Sequence, residues 1–355
     1  MSEVEVREAG EADTEALARL LRAAPQAGRM VVAQDRTPDV FARRRPFARA
    51  GTLLVDAPGA GLDADGLPAA AVTVATKQVR VAGSWVRAGY VFDLAVAPTA
   101  RRRGLAARLL DAAGQWAHDR DAALLYAHVV AENEPSCGVF ERAGYRGAAR
   151  IVTRIVPAHR SLPTPPPGRM AIDNWGRAAA ILDAQQHDRD LAVPLDGDTL
   201  RRRWRELPGW RDDDVWSTGR SVLGLWDRRP VVRYLPASLP PEVRALAPAA
   251  RVASTLRIPF PDAPRQGKPI STGYLLGGAG DDDELASLFR AALGRARERG
   301  LAHLVVFHDE RTRPRWLRAA IQVPEIYLLM ARPLGDAPWA RELGRRPITV
   351  DPLDM

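Results

Sequence analysis

The stretch Val96-Ala-Pro-Thr-Ala-Arg-Arg-Arg-Gly-Leu-Ala106 constrains this chain more than any other. An apolar run, Tyr90-Val-Phe-Asp-Leu-Ala-Val96, leads into it, and an amphipathic segment, Leu105 to Asp119, leads out. The order predicts a strand, a short loop and a helix N-terminus. Pro98 ends the strand because it has no amide for a ladder, and Thr99 is the expected helix cap. Gly104, without a Cβ, lets the backbone approach a ligand. A helix N-terminus offers unpaired amides and a partial positive charge, which suits a phosphate. Arg101, Arg102 and Arg103 add full charges with bidentate geometry. A solvated basic turn would show the same arginines. The succession of strand, Arg-x-x-Gly and helix favours a diphosphate cradle.

Around this loop the chain alternates strands and helices. Strands are expected at Val4–Arg7, Gly51–Asp56, Ala69–Gln78, Val79–Trp85, Tyr90–Val96, Ala122–Val130 and Tyr145–Val156. Helices are expected over Glu8–Ala24, Leu105–Asp119 and Pro135–Ala143, the last stopped by Gly144. Pro58–Pro68 reads as a loop. Ser161–Gly168, with Pro163, Pro165, Pro166 and Pro167, reads as an extended linker. Beyond it, helices are expected at Asn174–Asp188, Thr199–Leu207, Asp282–Arg299 and Trp316–Ile321. Strands are expected at Val215–Trp226, Val231–Pro236, Arg251–Ile258, Gly273–Leu276, Leu301–Phe307 and Glu325–Arg332.

With 355 residues, 46% hydrophobic and 26% charged, two soluble globular domains are expected. No apolar run reaches the ~18 residues of a membrane span, and Met1–Arg7 has no apolar signal core. The single cysteine, Cys137, leaves no internal disulfide. These features point to the cytoplasm and to no membrane partner. The net charge of +8 favours anionic partners. The excess is Arg in an Ala- and Pro-rich composition, so nucleic acid is not expected as a partner.

Arg101-Arg-Arg-Gly104-Leu-Ala106 resembles the acyl-CoA motif Arg/Gln-x-x-Gly-x-Gly/Ala of the GCN5-related N-acetyltransferase (GNAT) superfamily. Asn133-Glu-Pro-Ser-Cys-Gly-Val-Phe-Glu-Arg-Ala-Gly-Tyr145 is similar to that family's Asn-x-x-Ala-x-x-Leu-Tyr-x-x-x-Gly-Phe segment. Together they cover roughly the first 155 residues. The resemblance implies an α/β fold with a mixed central sheet flanked by helices. In such folds the Met30–Arg45 region often carries a second short helix and a substrate-facing loop.

An internal repeat extends the expectation to the second half. Leu105-Ala-Ala-Arg-Leu-Leu-Asp-Ala-Ala-Gly114 matches Leu285-Ala-Ser-Leu-Phe-Arg-Ala-Ala-Leu-Gly294. Each follows a Gly-Tyr strand start, Gly89-Tyr90 and Gly273-Tyr274, and precedes an apolar strand. Two GNAT-like domains in tandem are therefore expected: 1–158 binding acyl-CoA, 159–169 a linker, and 170–355 a degenerate half. Where the first half has arginines, the second has Asp281-Asp-Asp-Glu284, which suits a helix N-terminus but repels a diphosphate.

The resemblance further implies direct acyl transfer from CoA, with acetyl-CoA as co-substrate, to a small-molecule amine. The alternatives are a protein N-acetyltransferase, an aminoacyl-tRNA-dependent transferase and a non-catalytic acyl-CoA-binding protein. Leu94, Ala95 and Val96 would lie along the pantetheine. Arg101, Arg102, Arg103, Gly104, Leu105 and Ala106 would hold the diphosphate. Asn133, Ser136 and Phe140 would line the thiol end. The family's usual acid is a Tyr where this chain has Phe140, so Ser136, Cys137 or Tyr145 would substitute, or the thiolate leaves unaided. Asp93, a carboxylate in an apolar strand, and Glu132, at a strand end, are the candidate bases. His128 could also serve, although a single strand histidine is commonly structural. His303, His308, Asp309 and Glu310 lack a convincing further ligand, so no metal is expected. The two Trp groups, Trp204/Trp210/Trp216/Trp226 and Trp316/Trp339, are expected to pack in cores. The protein would act as a monomer or homodimer.

Overall fold

The computed structural model describes residues 5–28, 30–56, 67–158, 174–241, 243–245, 248–249, 252, 264–317, 323–335 and 342–355. The expected linker, nearly all of Pro58–Pro68 and Arg251–Ile258, part of Trp316–Ile321, and Trp339 lie outside them. In chain order the strands are β1 (Val6–Glu8), β2 (Val31–Asp35), β3 (Arg49–Val55), β4 (Ala70–Val81), β5 (Ser84–Val96), β6 (Leu124–Val130) and β7 (Arg146–Pro157). They continue with β8 (Val215–Ser217), β9 (Val222–Asp227), β10 (Arg233–Ser238), β11 (Thr272–Ala279), β12 (His303–Asp309) and β13 (Val323–Pro333). The helices are α1 (Thr14–Ala23), α2 (Leu105–His118), α3 (Glu134–Arg142), α4 (Trp175–Gln186), α5 (Gly197–Arg205) and α6 (Asp282–Glu298).

All strands but two join one 11-stranded sheet, in the order β1-β3-β4-β5-β6-β13-β7-β12-β11-β9-β8. Two neighbouring pairs are parallel, β5 with β6 and β11 with β12. A helix connects each, α2 in the first half and α6 in the second, as a parallel pair requires. The sheet is mixed and flanked by helices, as expected.

The sequence halves do not each own a sheet. The first half supplies β4, β5, α2 and β6, and its next strand is β13, from the far end of the chain. The second supplies β9, β11, α6 and β12, and its next strand is β7, from the first half. The two halves thus trade their last strands, and the traded strands pair with each other antiparallel at the centre. The exchange joins the sheets of the two halves into one. Its physical reason is burial: β13 carries Leu329 on one face and Met330 on the other, both sealed. Such a strand needs a neighbour on each edge and cover on each face.

α2 and α6 lie on the same side of the sheet. α2 buries Leu105, Leu109, Ala113 and Trp116, and α6 buries Leu285, Leu288, Phe289 and Ala292. Each fully buried Leu or Phe contributes about 1.5–3 kcal/mol relative to exposure. On the opposite side a single core runs across both halves, from Tyr90 and Tyr126 to Trp226 and Tyr274. α4, α5 and the 342–355 segment cover it. Trp204, Trp216, Trp226 and Trp316 are core residues. β2 and β10 form a separate antiparallel pair joining the halves, tied by Arg233 and Asp35 at 2.7 Å. The expected second helix in Met30–Arg45 is reduced to one 3-10 turn, Ala42–Arg44, because Val31–Asp35 is drawn into that pair.

Candidate active site

β5 and β6 pair only at Ala88–Leu124, Gly89–Leu125 and Tyr90–Tyr126. Beyond that point β5 stays paired with β4 and β6 with β13. The strands part, and among the described residues the β6-facing edge of β5 from Val91 onward carries no strand pairing. Leu94, Ala95 and Val96 lie on this open stretch, where a main-chain edge can bind an extended ligand.

A bulge shapes the same stretch. Ala71 pairs with Ala95 and Thr73 with Phe92, so Asp93 and Leu94 oppose one residue. Asp93 takes a left-handed conformation, φ 53°, which bulges favour at functional bends. Its carboxylate contacts Arg36 at 2.7 Å and Arg43 at 2.6 Å. Burial would raise its pKa, but the charges of Arg36 and Arg43 more than offset that and hold it below the ordinary value. The expectation of Asp93 as a base is corrected: a carboxylate locked to two arginines is a poor proton acceptor. Arg43 also donates to Tyr90 Oη at 2.9 Å, so Asp93 anchors the bulge to the layer above it.

At the end of β5 the chain turns through Pro98–Ala100 and the arginine loop into α2. Arg102 and Gly104 are left-handed, with φ 64° and 77°. The helix therefore starts at Leu105 with Gly104 as its cap residue, and no side chain caps it. Thr99 is not the cap, since it lies inside the preceding turn. α2 has no acidic residue in its first turn. A Cβ added at Gly104 would meet nothing within 4 Å, so open space faces the helix end. Arg101, Arg102 and Arg103 are exposed, and among the described residues no carboxylate pairs with them. The open helix amides and dipole, with three exposed guanidiniums in the same loop, suit an anion. Leu105 is buried in the core and Ala106 is half-buried.

Asn133 caps α3, accepting from the Ser136 amide at 3.3 Å. Ser136 is half-buried beside it. Phe140 is 5% exposed and meets Tyr145 edge to face, ring centroids 5.0 Å apart. The Tyr145 hydroxyl is buried without a hydrogen-bond partner, and burial raises its pKa. Both rings are core residues under α2, so a Tyr145 acid would have no route for its proton. Burial also raises the Cys137 thiol pKa, leaving it protonated.

Glu132 is exposed at the end of β6. Beside it the traded strand β13 brings Glu325, which sequence reasoning missed. Burial, joined by repulsion from Glu132, raises the Glu325 pKa although Tyr327 Oη donates to it at 3.1 Å. The loop before β2 packs against Glu325: a Cβ on Gly28 would lie 3.2 Å from Val130 and 3.6 Å from Glu325. His128, on β6, is kept neutral, its pKa lowered to about 3 by burial and by Lys77 and Arg43. Its Nδ1 is buried without a partner. Glu325 sits near the start of a largely apolar strand, the one signal that could have flagged it.

The second half repeats the parting strands but closes the helix end. β11 and β12 pair at Thr272–His303, Gly273–Leu304 and Tyr274–Val305, then separate. Here Asp281 caps α6, accepting from the Asp283 and Glu284 amides at 3.0 and 3.1 Å. Glu284 is held in turn by Thr218, Ser221 and Arg220. The protein's own carboxylates fill the place an anion would take.

Residues 17–145 match the family model described as acetyltransferase (GNAT) family. No curated protein sequence matches the chain. Solved structures share its fold. A GCN5-related N-acetyltransferase from Sphaerobacter thermophilus is 14% identical, with TM-score 0.53, over 94% of this chain and 96% of that one. Saccharomyces cerevisiae N-myristoyltransferase with bound myristoyl-CoA and inhibitors is 11% identical, with TM-score 0.64, over 99% and 87%. A tandem GNAT protein from the clavulanic acid biosynthesis pathway is 12% identical, with TM-score 0.51, over 94% and 100%.

Proposed function

Residues 17–145 belong to the acetyltransferase (GNAT) family, and on that premise we propose that the protein transfers an acyl group, acetyl in the first instance, from acyl-CoA directly to the amine of a small molecule. The observation that carries this reading is the open N-terminus of α2, uncapped, free of acids and flanked by Arg101, Arg102 and Arg103. These residues fit a CoA diphosphate. The open edge of β5 at Leu94, Ala95 and Val96 fits the pantetheine arm.

Bound there, the thioester supplies the acyl group: a C–N bond forms as the C–S bond breaks, and the thiolate leaves. Glu325 takes the ammonium proton that must depart before nitrogen can attack, and its raised pKa suits that task. Glu132, at the rim, attracts the cationic amine. Asp93 fixes the bulge through Arg36 and Arg43 and so positions the Leu94 main chain. With Phe140 in the core, no tyrosine protonates the thiolate, whose own basicity is low enough for unaided departure. The loop before β2 packs against Glu325, and the 342–355 segment covers the core on that side of the sheet, which favours a compact amine over a protein surface.

Calorimetric titration of the full chain with acetyl-CoA, followed by thiol release with a panel of small primary amines, tests the reading. Binding with amine-dependent thiol release is the expected result. Binding without release to any amine would point to a non-catalytic acyl-CoA-binding protein, and absence of binding would overturn the assignment of the loop.

A further inference from the structure

The parted strands of the second half enclose a cavity of about 430 Å³, a volume that holds a small ligand. It passes between the strands: Leu276 and Phe307 line it from one side of the sheet, Leu285 and Trp316 from the other. Gly277 and Gly278, left-handed at φ 75° and 76°, leave it wide. Side chains there would press on Leu182 at 3.3 Å and Trp316 at 3.2 Å.

The apolar floor carries an excess of positive charge. Arg189, Arg203, Arg311, Arg313 and Arg315 line the cavity, against the acids Asp282 and Asp351. Asp282 is exposed at the α6 end. Asp351 is already shared between Lys77 and Arg203, at 2.9 and 2.6 Å. Arg311 is paired with Asp309 at 2.6 Å. The remaining three arginines form no ion pair with a described residue, and the half-buried Arg189 guanidinium, drawn toward Asp309 only at longer range, donates no hydrogen bond to one. An unpaired guanidinium beside an apolar cavity is a strong site for a carboxylate. Because Asp281 closes the α6 terminus, the anionic group belongs with these arginines and not on the helix.

We propose that the second-half cleft binds a small organic anion, a carboxylate whose apolar body lies between β11 and β12 and whose charge meets Arg189, Arg313 and Arg315. This site is separate from the acyl-transfer site and does not depend on it.

The full chain is titrated calorimetrically with octanoate and, in parallel, with octan-1-ol. Octanoate is expected to bind in a saturable one-to-one manner, at least tenfold more tightly than the alcohol. The double variant Arg313→Glu with Arg315→Glu, both exposed positions, is expected to weaken octanoate at least tenfold at an unchanged melting temperature. Arg189→Gln should weaken it separately. Arg101→Glu with Arg103→Glu, in the first half, should leave octanoate binding intact. Equal affinity for the alcohol, no saturable binding, insensitivity to the second-half variants, or loss on the first-half variant would each overturn the proposal.

Discussion

Asp281 stands in the second half where Gly104 stands in the first, each at the N-terminus of a helix that follows a parted strand. Asp281 satisfies two helix amides with its own carboxylate, whereas Gly104 leaves them open. Gly104→Asp should therefore convert the first cradle into the second. The added carboxylate repels a diphosphate, and acyl-CoA affinity should fall about a hundredfold, ~2.7 kcal/mol. Gly104→Ala separates strain from charge: the left-handed backbone costs about 1–2 kcal/mol of stability, with little change in affinity. Calorimetry with acetyl-CoA on both variants decides, and equal losses would assign the effect to backbone strain.

Asp93 holds two buried cations, with Arg36 only 1% exposed. Asp93→Asn leaves them uncompensated and should cost about 3–5 kcal/mol, read by urea unfolding at neutral pH. The pH dependence follows from the lowered pKa of Asp93. Its contribution is fully present above the unfolded-state value of about 3.9 and is lost as pH falls through the lower folded value. The variant should show a weaker loss of stability on acidification than the parent. Parallel acid profiles would remove Asp93 from this role.

The traded strands should leave the first half unable to fold alone. Without β13, the edges of β6 and β7 lose their partner, and the cavity left by Leu329 and Met330 opens on both faces. A fragment ending at residue 158 should be unfolded or aggregated by circular dichroism and gel filtration. Co-expression with the remainder of the chain should restore a soluble complex. A folded, monomeric fragment that binds acetyl-CoA would contradict this.

The arginine loop was legible in the sequence because every group it needs is local: strand, Arg-x-x-Gly and helix follow one another. The repeat was legible for the same reason, as the two β-α-β units are each contiguous. The strand exchange was not, because the period of an apolar strand says that it is buried and not which strand it joins. Asp93 stood out as a lone carboxylate in an apolar run. Its partners, Arg36 and Arg43, are 57 and 50 residues away, and their sign reverses the pKa shift that a base would need. The cap was misplaced onto Thr99 because the left-handed turns at Arg102 and Gly104 delay the helix. Glu325 reaches Glu132 only through the exchange.

Tyr145→Phe removes a buried hydroxyl that has no partner. An unmet buried hydroxyl costs about 1–3 kcal/mol, so the variant should be as stable as the parent or more so. The rate of thiol release should be unchanged, since the ring faces Phe140 in the core. A loss of kcat larger than tenfold with an intact melting temperature would restore Tyr145 as a proton donor.

Glu325 and Glu132 should separate in their kinetics. Glu325 is buried beside Tyr327 with a raised pKa, and Glu132 is exposed. As a base, Glu325 works deprotonated, so kcat/KM should fall as pH drops through its pKa. That limb should lie above the value of about 4.3 for an ordinary glutamate. Glu325→Gln should lower kcat about 10²- to 10⁴-fold and abolish the limb. Glu132→Gln removes the repulsion that helps to raise Glu325, so its limb should move toward acid, with a severalfold rise in KM for a cationic amine. The pH profiles of thiol release for the two variants give the answer. An unaltered acid limb in Glu325→Gln would pass the role of base to another group.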